Sequence, residues 1–197
     1  MTEKYDIIFC ILESDNNSKN LFEKWGNTAQ KKMKIINVSK LYTGLKFIHD
    51  NFDYNYIFVC GTDDYVIIEN LVSYISKEEK NNRISPNNDI IICEKEETNN
   101  SFIMTKKSIE TIYHLLDTNS NTQSIYYYLR RLGTGFIITE NLFMNSGILT
   151  ENINSVLVYR CASEQGYNDL MRILKKEKEK SSLKKQELQR LISRLYQ

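Results

Sequence analysis

Proline occurs once in these 197 residues and glycine seven times, so the chain is neither a Pro/Gly-rich linker nor a collagen-like repeat. Histidine is as scarce, with two in all. His49 and His114 both fall in segments of helical apolar spacing, where a boundary position accounts for them as well as catalysis does. A histidine-based nucleophilic triad is therefore poorly supported. The four cysteines, Cys10, Cys60, Cys93 and Cys161, form no CxxC pair and mostly lie within or beside apolar runs such as IIFCI and IFVCG. They read as small buried hydrophobes of a reducing compartment, rather than zinc ligands or disulfide partners.

Long apolar runs are missing too, since none approaches the roughly 18 residues that a bilayer crossing requires. The opening MTEKYDIIFC lacks a basic region followed by an extended apolar stretch, so no signal peptide or transmembrane segment is expected and the location is read as cytoplasmic. Charge of one sign is absent as a global feature, because 26 basic and 25 acidic side chains leave a net charge of +1. Nothing in that balance draws the chain to nucleic acid. A GxxxxGK[ST] phosphate loop is not found, nor is a Rossmann glycine fingerprint after the first strand, and a phosphoryl-transfer aspartate of the DxDx[TV] kind would need spacing other than TDDY.

What is present is an alternation of short apolar runs with helical patterns. Tyr5 to Leu12, MKIINVS, Tyr56 to Gly61 and Asp89 to Cys93 read as strands, the first and third apolar enough for burial on both faces. Leu41 to Asn51, Ile68 to Lys77 and Lys106 to Leu116 carry helical spacing, as does Ser124 to Leu132, which Gly133 stops at a C-cap. Asn20 to Gln30 is loosely helical around Leu21, Phe22 and Trp25. Gly135 to Thr139 and Ser155 to Arg160 are further strands. The alternation implies an α/β sandwich. Beyond it the last 35 residues carry nine basic and five acidic side chains. They read as a charged helix whose Leu188, Leu191, Ile192 and Leu195 make an apolar stripe at i, i+3, i+4 and i+7 that must bury against something, its own domain or a second copy ahead of a specific partner or a membrane surface.

The chemistry concentrates at Asp63 and Asp64, which directly follow the apolar run YIFVCGT. Carboxylates leaving the carboxyl end of a strand in an open α/β sheet stand where ligands bind. There they can hold a hard divalent ion that also grips substrate phosphates. The same spacing also fits a cap for a helix beginning near Val66, with the second aspartate solvated.

The stretch LYTGLKFIHDNFDYNYIFVCGTDDYVIIENL, Leu41 to Leu71, resembles the metal-site region of GT-A-type glycosyltransferases related to Fringe and the β-1,3-galactosyltransferases. There a helix precedes an apolar strand, an acidic DxD-like motif, an aromatic residue, a valine and a helix. SFIMTKKSIETIYHLL, Ser101 to Leu116, resembles the family's Phe-Ile-Leu-Ser/Thr segment and its following helix. SIYYYLRRLG, Ser124 to Gly133, resembles the helix after the family's catalytic acid. The resemblance implies a GT-A-like mixed sheet flanked by helices over residues 1–161, a nucleotide-sugar-binding domain, followed by a basic amphipathic C-terminal helix over 162–197.

It further implies inverting transfer of a sugar from a nucleotide diphosphate donor, usually UDP-linked, to a glycan or protein acceptor with Mn²⁺ or Mg²⁺. Asp63 matches the metal-binding position with Asp64 its neighbour, and Trp25 and Lys46 fall in regions that lie near the donor. From their own spacing, Trp25 fits a core position and Lys46 a solvated face. Three departures accompany the match. Asn99, Asn100 and Ser101 replace glycines before the Phe-Ile segment, and Asn121, Thr122 and Gln123 stand where the family has its base, which leaves Asp117 as the nearest upstream acid. Tyr159 and Arg160 stand where a late-strand histidine often adds a metal ligand. The alternative is a catalytically degenerate binding or assembly module, and the tail helix suits a homo-oligomer in either case.

Overall fold

A computed structural model describes residues 3–12, 31–61, 64–94, 101–113, 135–139, 143–145 and 158–160, together with scattered helical positions between 168 and 186. In chain order the elements are β1 (Lys4–Leu12), β2 (Met33–Val38), α1 (Leu41–Asn51), β3 (Asp53–Gly61), β4 (Asp64–Val66), α2 (Ile68–Lys80), β5 (Ile90–Glu94), β6 (Phe102–Thr105), α3 (Lys106–Ile112), β7 (Gly135–Thr139), β8 (Phe143–Asn145) and β9 (Val158–Arg160). Six strands form one sheet in the order β2-β1-β3-β6-β5-β7, and β4-β9-β8 form a second, smaller one.

Within the large sheet β2, β1 and β3 run parallel, β6 runs antiparallel to both β3 and β5, and β7 runs parallel to β5. Five strands therefore point one way and β6 alone points back. The unbroken apolar runs Ile7–Ile11 in β1 and Tyr56–Cys60 in β3 are buried along their whole length. Such runs are stable where helices cover both faces of a sheet. On one face Leu45 and Ile48 of α1 and Ile109 and Ile112 of α3 pack against Ile8, Cys10, Ile57 and Val59. On the other, Leu71 and Ile75 of α2 join Ile84 against Ile7, Phe9, Phe58 and Cys60. Burial pushes the Cys10 thiol up to about 12, which keeps it protonated and inert at neutral pH.

Local chemistry sets the helix ends. α1 approaches β2 so closely that Gly44 faces Val38, and a Cβ there would lie 2.7–2.8 Å from three atoms of the Val38 side chain. α2 ends in a Schellman arrangement, with Asn82 at φ 55° and bonds from Asn82 N–H to Glu79 C=O at 3.0 Å and from Arg83 N–H to Glu78 C=O at 2.9 Å. Asparagine tolerates that left-handed conformation better than most residues. Thr105 caps α3, its Oγ1 accepting from Ser108 N–H at 3.3 Å and donating to Asn88 C=O at 2.6 Å.

The strands and helices expected from the sequence are found at these places, with three differences. β3 starts earlier than Tyr56, because Tyr54 is itself wholly buried beneath α1. Asp64 of the TDDY segment does not cap a helix near Val66. α2 begins at Ile68 with Ile67 in the cap position and no side-chain cap bond, while Asp64 opens β4. β4, β6 and β8 are additional strands. The Ser124 to Leu132 helix, the Asn20 to Gln30 segment and the Leu188 to Leu195 stripe lie outside the described residues. The described positions from 168 to 186 are helical, and Leu183 among them is 64% exposed. Among the described residues no helix is long and apolar enough to cross a membrane.

Candidate functional site at the carboxyl edge of the sheet

Parallel registry brings several strand ends to one edge. Leu12 of β1 lies beside both Val38 of β2 and Gly61 of β3. Glu94 of β5 lies beside Thr139 of β7 at the same edge. Because β6 runs the other way, with Phe102 opposite Val59, its amino end arrives there and carries Ser101 with it. Ligands of open α/β sheets gather at such an edge.

Asp64 is anchored at this edge. It is 7% exposed, and Ser101 is 3% exposed. The backbone N–H of Gly61 donates to Asp64 Oδ2 at 2.7 Å, and the Ser101 hydroxyl donates to the same oxygen at 2.6 Å. Short bonds to an ionised acceptor in a dry setting are the strong kind. The Cys60 thiol, one residue before Gly61, is pushed well up by burial first and by the negative charge of Asp64 second. β4 pairs antiparallel with β9, and the register sets Asp64 opposite Arg160 and Tyr65 opposite Tyr159. Tyr159 and Arg160 thus come from a strand that pairs directly with the one Asp64 opens.

Lys46 is elsewhere. Its ammonium lies 5.3 Å from the centre of the Tyr113 ring, that ring lies 5.1 Å from the His49 ring, and His49 Nδ1 is 2.9 Å from the Tyr54 hydroxyl. Tyr54 is at the opposite end of β3 from Gly61, and seven residues of strand span about 23 Å. Lys106 holds Asp53 at 2.9 Å at that same far end, where the Lys106 ammonium keeps the Asp53 carboxyl below its usual range. The structure does not bring Lys46 and Asp64 together, because α1 runs back along the sheet between the two ends. Asp63, Trp25 and Asp117 lie outside the described residues; Asp63 is bracketed in sequence by Gly61 and Asp64, both of which are placed.

A hard divalent ion needs several oxygen ligands and takes them from carboxylates, phosphates and water. Among the described residues no group of three or more His, Cys, Asp or Glu side chains is assembled to hold one. Asp64 Oδ2 already faces two hydrogen-bond donors.

With that geometry in view, likeness to known proteins can be stated. Neither a family sequence model nor any curated protein sequence matches the chain. A solved structure of a glycosyltransferase involved in the glycosylation of the major capsid of PBCV-1 superimposes with a TM-score of 0.52 at 12% identity, over 85% of this chain and 99% of that one. The fold is shared with a glycosyltransferase. Two further features of the site escaped the sequence reading. Ser101 was visible as a departure from glycine, but nothing in the spacing shows that it bonds an aspartate 37 positions away. The burial of Asp64 was hidden because its cover comes from β6.

Proposed function

We propose that the protein transfers a sugar from a nucleotide diphosphate donor, a UDP-sugar, to a glycan or protein acceptor, in the manner of the Fringe and β-1,3-galactosyltransferase group. One observation carries the reading: the acidic Asp63-Asp64 pair directly follows β3, an apolar and buried strand that ends at the carboxyl edge of a sheet whose fold is shared with a glycosyltransferase. In this reading residues 1–161 form the donor-binding domain, and the tail from 162 onward builds a homo-oligomer. The free, buried thiols of Cys10 and Cys60 suit a reducing, cytoplasmic setting.

The acidic segment meets the donor diphosphate together with Mn²⁺ or Mg²⁺, with Asp63 the residue to hold the ion. When bound, such an ion offsets the charge that builds on the departing diphosphate. The chain's own contribution is positional. β3 and β4 bring Gly61 and Asp64, its neighbours in the sequence, to this edge. Trp25 lies on the connection that follows β1 out of this edge, and we place it against the donor. Lys46, also a candidate from the resemblance, sits on α1 with its ammonium 5.3 Å from the centre of the Tyr113 ring. Inverting transfer requires that the acceptor hydroxyl lose its proton, a step that a placed base accelerates by roughly 10²–10⁴-fold. With Asn121, Thr122 and Gln123 at the family's position for that base, Asp117 takes the role.

Calorimetry with UDP, with and without Mn²⁺, tests the reading. The expected result is metal-dependent binding by the native protein that Asp63→Ala abolishes, together with weak UDP-sugar turnover that Asp117→Asn lowers further. Equal, metal-independent binding by the native protein and Asp63→Ala would refute the metal site. Retained metal-dependent UDP binding with no turnover across donors and acceptors would instead assign a binding module.

A further inference from the structure

Two adjacent aspartates invite the view that both are ligands, but the surroundings of Asp64 give it different work. Its Oδ2 accepts from the N–H of Gly61, the last residue of β3, and the same atom takes the Ser101 hydroxyl, which joins that contact to the first residue before β6. Both side chains are buried. Two donor hydrogens commit Oδ2 to these contacts and leave that oxygen less available to a cation than a carboxylate oxygen facing open solvent. A carboxylate fixed in this way is suited to setting the path of the backbone.

We propose that Asp64 and Ser101 form a positioning pair that ties the end of β3 and the start of β4 to the start of β6, leaving Asp63 as the acid that meets the donor. The role assigned to Asp63 rests on the sugar-transfer reading; the Asp64–Ser101 pair rests on geometry alone. The division of labour has a chemical signature. A staple needs an acceptor oxygen, which asparagine retains, whereas a metal ligand needs the charge, which asparagine lacks. Alanine at 64 removes the acceptor and strands the Gly61 N–H and the Ser101 hydroxyl in a buried place.

The experiment compares Asp63→Asn, Asp64→Asn, Asp64→Ala, Ser101→Ala and the Asp64→Ala/Ser101→Ala double variant in the full chain. Each is read by thermal melting without ligand and by calorimetry with UDP plus MnCl₂. Asp63→Asn is expected to lose metal-dependent binding at an unchanged Tm. Asp64→Asn keeps binding within roughly threefold, while Asp64→Ala weakens it about tenfold. Alone, Asp64→Ala and Ser101→Ala each lower Tm by about 2–4 °C for a chain of this size, and the double variant falls no further than Asp64→Ala.

Loss of metal-dependent binding in Asp64→Asn at unchanged Tm would overturn the proposal by making Asp64 a ligand. Additive Tm losses in the double variant would overturn it by removing the pair. Absence of UDP binding in the native protein would refute the sugar-transfer reading and the role given to Asp63. The ligand-free melting cycle decides the pair in that case too, non-additivity sustaining it and additivity refuting it.

Discussion

Alanine is the best helix former and glycine among the poorest, so Gly44→Ala in the middle of α1 would ordinarily stabilise by about 1 kcal/mol. The packing of α1 on β2 reverses that expectation. The added Cβ would sit 2.7–2.8 Å from Cβ, Cγ1 and Cγ2 of Val38, where carbon atoms rest at roughly 3.5–4.0 Å. Val38 has little room to yield. It is β-branched and stiff at χ1, 9% exposed, and its backbone is held in register beside Leu12. Relief must come from lifting α1, which draws the wholly buried Leu45 and Ile48 out of contact. Overpacking of this kind takes away about 1–3 kcal/mol, so after the propensity gain the net loss is about 0–2 kcal/mol. Each kcal/mol corresponds to a fall in Tm of about 2–4 °C in a chain of this length. Urea unfolding of the single variants and of Gly44→Ala/Val38→Ala measures it. Removing the two Cγ atoms should recover about half of the Gly44→Ala loss, a coupling that contact pairs commonly show. A rise in the unfolding midpoint of Gly44→Ala at unchanged m would refute the argument.

Two further predictions concern His49 and the tail. The pKa of His49 lies below the ordinary 6.5, chiefly because burial disfavours the imidazolium, so between its folded and unfolded values the unfolded chain binds more protons. Stability contributed by neutral His49 is complete above pH 6.5 and falls as the pH drops below it. His49→Gln should flatten the decline in Tm between pH 7.5 and 5.5, and an identical slope in both proteins would exclude the effect. The tail, with its Leu188, Leu191, Ile192 and Leu195 stripe, is expected to join copies of the chain. Truncation after Lys180 should then leave a folded species of lower mass in light scattering, and an unchanged mass would dismiss that role.

How much of this was readable beforehand follows from where each signal resides. β1 and β3 announce themselves because their burial on both faces needs a continuous apolar run, and Ile7 to Ile11 and Tyr56 to Cys60 supply it. α1 and α2 carry their own period, so Leu45, Ile48, Leu71 and Ile75 could be assigned inward without knowing what they meet. β4 has three residues and owes its form to β9, whose Arg160 stands beside Asp64 from 96 positions further along the chain. The four residues of β6 are too few for periodicity to separate strand from helix, and they become a strand because β3 and β5 flank them. The same physics hid the Asp64–Ser101 bond and the true surroundings of Lys46. Spacing shows which side chains share a face; the partner on the other element decides what they do.

The reversed direction of β6 has a consequence for how the sheet comes into being. β5 precedes β6 in the chain, yet it reaches β3 through β6, since it pairs with β6 and β7 and β6 in turn pairs with β3. As the polypeptide leaves the ribosome, β2, β1 and β3 can join under α1 and α2 once residue 80 is out, by right-handed crossovers of modest length. The strand at residues 90–94 then has no docking edge until Thr105 has emerged and β6 has turned back along β3. Four residues therefore act as the latch between an early half-sheet and a late one. A lesion in Phe102, Ile103 or Met104 would halt assembly at that intermediate, with the open edge of β3 exposed to the wrong strand.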